Sequence, residues 1–285
     1  MKTLAMACLL IAAVSSTAAE KTAPSPMAFV PAGDFALPFR SSLSSGVNDG
    51  DPSVSLTPDR KPLPSNRDST RNTLRVNGFW LDRYAVTNAD FLTFIREQPS
   101  FRRSRIHILF ADPGYLRAWS GDLQPRPGSL DAPVTSVSWH AAKAYCQMQG
   151  KRLPTTAEWE RAAASLAPGR DSATQERTIL AWYARSTQEE TPAIGTGTRH
   201  AYGIFDLHGV IWEWTADFNS WNGGGVNKRG VRDEGLFCGG APANAAPNTS
   251  YATYMRWGFR GSLKPDYTVA TLGFRCARDE IQKGE

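Results

Sequence analysis

Apolar residues recur at helical intervals in three stretches of the chain. Thr87 and Asp90 form a capping-box-like start, and Phe91, Phe94 and Ile95 follow on one side of a helix. The spacing predicts a second helix from about Ser138 to Gln149, with Trp139, Ala142, Tyr145, Cys146 and Gln149 facing inward and Gly150 as its stop. A third helix starts at Thr155, takes Glu158 as its box partner, and carries the stripe Trp159, Ala162, Ala163 and Leu166. Residues 28–40 alternate briefly, as a strand does. After Pro168 the period fades into short apolar runs between glycine-rich turns: Ile179–Tyr183, Tyr202–Trp214, Leu236–Gly240 and Leu272–Cys276, with Asn222–Gly225 as a flexible loop. Helices mixed with short strands, and no internal repeat, make the fold class α+β with little regular secondary structure.

Two stretches carry no such pattern. At the N-terminus, Lys2 precedes an apolar run from Leu4 to Val14 that is too short to cross a bilayer. The small residues Ser16, Thr17, Ala18 and Ala19 then offer a cleavage site after Ala18 or Ala19. This reads as a signal peptide over residues 1–19 and places the protein in the periplasm. No later segment reaches 18 apolar residues, so no membrane span is expected in the mature chain. Residues 20–27 read as a flexible lead, 28–279 as a single domain, and 280–285 as a tail. Within the domain, residues 41–72 are rich in Ser, Asp, Pro and Asn and read as one long surface excursion.

Composition sharpens the picture in three ways. Apolar residues at 41% and charged residues at 21% are enough to build a core. Nine tryptophans beside 24 glycines and 19 prolines point to loops pinned by large aromatic anchors. The formal charge of +5 is too diffuse for a nucleic-acid partner; its densest basic run, Arg102, Arg103 and Arg105, reads as a solvated loop. After loss of Cys8 with the leader, Cys146, Cys238 and Cys276 remain. In an oxidising compartment two of them should pair, and sequence alone permits three pairings.

Four segments are dense in aromatic, glycine and charged residues: Val137–Trp159, Tyr202–Phe218, Phe237–Ala241 and Arg256–Cys276. From about Met27 to Arg278 they resemble the formylglycine-generating-enzyme, or sulfatase-modifying-factor, family. The resemblance rests on Gly150–Thr155 followed by Glu158-Trp159-Glu160, on Trp212-Glu213-Trp214, on Gly239-Gly240, and on the closing Gly273-Phe274-Arg275. It implies a fold similar to C-type lectin domains and a disulfide between Cys146 and Cys276. The positions of a second family disulfide match Ala163 and Trp257, so both of its halves are absent together.

The chain departs from the family where the family's chemistry lies. Formylglycine-generating enzymes bind copper(I) through two cysteines shortly after the glycine pair, and Ala241–Arg256 contains none. Copper is therefore not an expected cofactor, and formylglycine formation is not the expected activity. Relatives use the segment before WEW in a calcium site; here Val210 stands where they carry asparagine, while Glu213 remains. Two roles are open to Glu213, a calcium ligand or the partner of an arginine. His107, His140, His200 and His208 form no iron-binding array. Cys238 is the leftover thiol, either reactive at a site or buried and inert. Exported relatives without the cysteine pair imply oxidative maturation of a siderophore, the dihydropyoverdine chromophore becoming pyoverdine, with a small-molecule or peptide precursor as partner. Cys238, Tyr254, Arg256, Trp257 and Arg260 are the candidate pocket: arginines for an anionic oxygen, rings to stack on a flat chromophore. The competing reading is a non-catalytic accessory module for a periplasmic enzyme such as a nitrogen-oxide reductase.

Overall fold

The computed structural model describes residues 26–36, 67–68, 73–166, 168–185, 190–219 and 250–280. The strands are β1 (Met27–Val30), β2 (Gly33–Ala36), β3 (Arg67–Asp68), β4 (Thr73–Val76), β5 (Phe79–Asp82), β6 (Trp212–Glu213), β7 (Leu272–Gly273) and β8 (Ala277–Asp279). The helices are α1 (Asn88–Glu97), α2 (Trp139–Met148), α3 (Thr156–Ala163), α4 (Ser172–Tyr183) and α5 (Tyr251–Gly261). Helices and small sheets together make the chain α+β.

One antiparallel sheet runs β1-β5-β8, pairing Met27 with Asp82 at one edge and Leu81 with Ala277 at the other. The first and last strands of the described chain thus flank the same central strand. A second antiparallel sheet runs β2-β4-β3, and β6 pairs parallel to β7. Strand β3 falls inside the span 41–72 read as a surface excursion; residues 41–66 and 69–72 of that region lie outside the described residues, as do the leader at 1–19 and the last five residues of the tail. Met27 is buried and begins β1, so the lead stops one residue short of its expected end.

The three patterned helices form with the caps their sequences encode. Thr87 accepts from the Asp90 amide and Asp90 answers the Thr87 amide; Thr155 and Glu158 repeat the arrangement. Ser138 caps α2, and Gly150 follows it with φ of 64°, a left-handed turn that suits glycine. Helix α2 ends at Met148, which leaves Gln149 exposed as its cap, and α3 ends at Ala163, which leaves Leu166 exposed rather than in the apolar stripe. The larger core gathers Phe91, Phe94, Trp119, Tyr145, Trp214 and Phe274 around α1 and α2; a second packs β1 and β5 against α3 through Leu81, Trp159 and Ile204.

Two helices form where the periodicity fades. Helix α4 buries only Ile179 among its own residues, which is too little to write a stripe. Helix α5 buries Ala252, Arg256, Trp257 and Arg260, so half of its inner face is charged and an apolar pattern cannot reveal it.

Cys146 of α2 and Cys276 just before β8 are bridged, with Cα atoms 5.6 Å apart, the pairing that the resemblance implies. The bond closes a loop spanning 130 residues. Replacing both cysteines by alanine should lower unfolding free energy by up to about 4–5 kcal/mol in the chain-entropy limit, read from urea denaturation of oxidised and variant protein.

Candidate functional site

The centre of the molecule is a buried ion pair. Glu213 and Arg275 bury their side chains completely. Strand β6 places Glu213 beside β7, and Arg275 follows β7 by one residue beyond Phe274. A Cβ at Gly273 would run into the Val134 carbonyl, so that close approach requires glycine. The Arg275 Nε and Nη2 donate to the two Glu213 oxygens at 2.7 Å each. Its remaining N–H groups donate to the carbonyls of Asp82, Arg83 and Phe205. All five guanidinium donors are therefore used. Trp159 Nε1 donates to Glu213 Oε2 at 2.7 Å. Of the two roles open to Glu213, the geometry supports the arginine partner: a calcium ion on this carboxylate would sit against a guanidinium. Among the described residues, no cluster of three or more His, Cys, Asp or Glu is arranged to hold a metal.

A second buried charge cluster joins α3, α4 and α5. Glu160 accepts from Arg256 Nε at 2.9 Å and Nη2 at 2.8 Å, and from Arg260 Nη1 at 2.6 Å. Arg256 also donates to the hydroxyls of Thr253 at 3.0 Å and Tyr183 at 3.4 Å. The Arg260 guanidinium lies 4.7 Å from the centre of the Trp159 ring. Burial alone would raise the Glu160 pKa, but the two guanidiniums hold it down at about 2. Two cations against one carboxylate leave this trio with one surplus positive charge. His208 is buried against Trp159, with ring centres 5.4 Å apart, and His200 lies 5.6 Å from His208. Burial pushes the pKa of both imidazoles down, and nearby arginines add to the effect.

The expected pocket is thus rearranged. Arg256 and Arg260 come together, but buried and on Glu160 rather than open to a ligand. Trp257 is buried on the same helix. Tyr254 packs on Tyr251, with ring centres 6.1 Å apart, and makes no hydrogen bond to either arginine among the described residues. Cys238 and the glycine pair lie outside the described residues. Sequence reasoning missed Glu160, Tyr183 and His208 as partners. Glu160 had a visible signal, since it stands directly after Trp159 on the buried side of a helix.

Beside this cluster the rings of Trp182, Tyr183, Trp212 and Phe259 form a half-buried aromatic wall. Tyr183 stacks on Trp212 at 4.7 Å and 18°, and Phe259 approaches Trp212 at 4.3 Å. The Trp212 amide donates to the Thr271 carbonyl at 2.8 Å. Thr271 also lines a cleft of about 220 Å³, together with Arg117, Trp119, Arg126, Ser136 and Glu190. Ser136 is held at φ of 55° there, in a region rare for a side-chain-bearing residue. Through Thr271, the backbone of β6 is tied to that cleft.

Glu160→Gln should destabilise the protein by about 3–5 kcal/mol, because two buried guanidiniums lose their counter-charge; urea midpoints of the two proteins measure it. The Glu160 contribution is complete above its usual value of 4.5 and is lost as pH falls through about 2. The histidines act at higher pH. Their lowered pKa values mean that the unfolded chain takes up protons first as pH falls below about 6.5, so each histidine should lower stability with acid, by no more than ~1.4 kcal/mol per pH unit. His208→Gln should flatten that slope in melts recorded between pH 7.5 and 5.

Comparison with known proteins identifies the family. The sulfatase-modifying factor enzyme 1-like domain matches residues 12–280. Formylglycine-generating enzyme of Streptomyces coelicolor is 27% identical over 269 residues, covering 76% of this chain and 83% of its own. The mouse inactive C-alpha-formylglycine-generating enzyme 2 is 28% identical over 242 residues, covering 71% and 75%. Among solved structures, PvdO from Pseudomonas aeruginosa superposes with a TM-score of 0.46 at 20% identity, covering 89% of this chain and 94% of that one. With a match over nearly its full length, the chain belongs to the sulfatase-modifying factor enzyme 1-like domain family.

Proposed function

We propose that this protein is an exported, periplasmic member of its family that holds a planar aromatic siderophore precursor during oxidative maturation, dihydropyoverdine becoming pyoverdine, on a scaffold of C-type-lectin type. The observation that carries the reading is the aromatic wall at Trp212, in a chain whose Ala241–Arg256 segment contains no cysteine. A flat chromophore stacks on such rings, and Arg117, in the cleft where Arg126 is paired with Glu190, offers a cation to an anionic substituent. Oxidation of the dihydro ring removes two electrons and two protons. Dioxygen or another diffusible acceptor takes the electrons while the protein fixes the ring and excludes water from one face. Cys238 and Tyr254 remain candidate residues for this chemistry, and Arg256 and Arg260 anchor α5 through Glu160.

A second reading is a binding or accessory module without turnover, for a periplasmic enzyme such as a nitrogen-oxide reductase. It is favoured by one specific observation: both arginines expected to grip substrate are engaged by Glu160. A family relative described as inactive is consistent with it.

Deleting the gene should leave the dihydro chromophore unoxidised, as read by absorbance and mass; fully oxidised siderophore from the deletion strain would defeat the maturation reading. With purified protein, Trp212→Ala should weaken binding of the precursor by about tenfold through lost stacking. Affinity without product formation in air would favour the accessory module.

A further inference from the structure

The basic run that reads as a solvated loop leads into an unusual turn. Residues 107–110 form a tight turn, in which the Phe110 amide donates to the His107 carbonyl at 2.8 Å. Its central residues are Ile108 and Leu109, which are 70% and 72% exposed. The Leu109 amide donates to His107 Nδ1 at 3.2 Å, which fixes the tip. Phe110, at 48% exposure, rests edge-on against His140 with ring centres 5.2 Å apart. Single exposed leucines are ordinary, but three consecutive large apolar residues standing out of one turn are not.

Exposed basic side chains lead into the tip. Arg103 and Arg105 are exposed just before it. Arg103 spends one donor on the Trp119 carbonyl, and Arg105 makes no side-chain hydrogen bond among the described residues. Lys143 follows His140 on α2, one turn along. The acids nearby are Asp112, whose oxygens accept from the Gly114 amide and from the Thr268 amide and hydroxyl, Asp122, whose oxygens accept from the Ser104 amide and hydroxyl and which lies in the field of Arg105, and Asp266, which faces His140.

We propose that this turn docks the protein onto an anionic lipid surface, with Ile108 and Leu109 entering the boundary between headgroups and acyl chains and Arg103 and Arg105 meeting lipid phosphates. Size argues for lipid rather than a protein partner. A stable protein interface takes some 20–30 residues a side, whereas this tip offers two aliphatics and one ring. A bilayer demands no shape complementarity, only apolar depth and opposite charge. The inference is independent of the siderophore reading, because neither the aromatic wall nor the cleft takes part.

The test is co-sedimentation of the full-length chain with vesicles of phosphatidylcholine alone or mixed equally with phosphatidylglycerol. The double variant Ile108→Ser/Leu109→Ser is compared throughout, so that any contribution of the apolar N-terminal run is common to both proteins. Wild type should partition onto the phosphatidylglycerol vesicles, and the double variant should bind at least about tenfold less. Arg105→Gln should bind about fivefold less on the charged vesicles only, and 0.5 M salt should have a comparable effect. Unchanged thermal melts would show that the variants fold. Equal binding by wild type and the double variant overturns the proposal. So does failure of wild type to bind phosphatidylglycerol vesicles at low salt. A concentration-dependent dimer that the double variant abolishes, without vesicle binding, assigns the turn to a second copy and overturns it as well.

Discussion

The fold depends on one interaction, the fully buried pair of Glu213 and Arg275. Desolvating a carboxylate and a guanidinium costs several kcal/mol each, and only complete hydrogen bonding in good geometry offsets it. Here the guanidinium fork meets both carboxylate oxygens, and the remaining donors go to three backbone carbonyls, two at the end of β5 and one in a distant loop. The pair therefore fixes irregular backbone as well as charge. Asp82 and Arg83 at the end of β5, Phe205 in a loop and Trp159 on α3 all take their positions from it. A protein with so little sheet needs such a device, because short strands alone leave many carbonyls without partners.

Much of this was legible beforehand, and the gaps have a common cause. Helices α1, α2 and α3 announce themselves through capping residues and apolar stripes, and Gly150 marks a true stop. The closing Gly273-Phe274-Arg275 is readable as a motif, and its physical content is now plain: glycine for the approach to Val134, phenylalanine for the core, arginine for Glu213. What escaped notice was burial of charge. Hydrophobic periodicity scores Arg256 and Arg260 as solvent-facing, so α5 stayed hidden and its arginines were assigned to a ligand. The Glu160 carboxylate that binds them is close to 100 residues away in the chain, beyond the reach of any local pattern.

The two charge clusters also differ in kind. The Glu213 pair is neutral overall and saturated with partners, the mark of a structural element. The Glu160 cluster carries surplus positive charge, two compressed histidines and a wall of rings beside it. Perturbed groups next to a stacking surface are where function concentrates in folds of this size. The family framework thus persists in a chain whose segment Ala241–Arg256 carries no cysteine.

The order in which the chain is made adds a final constraint. Arg275 and β8 are synthesised after every other described element, yet they close the sheet begun by β1 and neutralise a carboxylate set down some 60 residues earlier. Until those residues arrive, Glu213 has no counter-ion, Cys146 has no partner, and β5 has a bare edge. The nascent polypeptide therefore stays open to chaperones until β8 has emerged, and its contacts of long sequence separation make the final collapse slow. A chain cut before Arg275 would never close, rather than being a slightly shorter working protein.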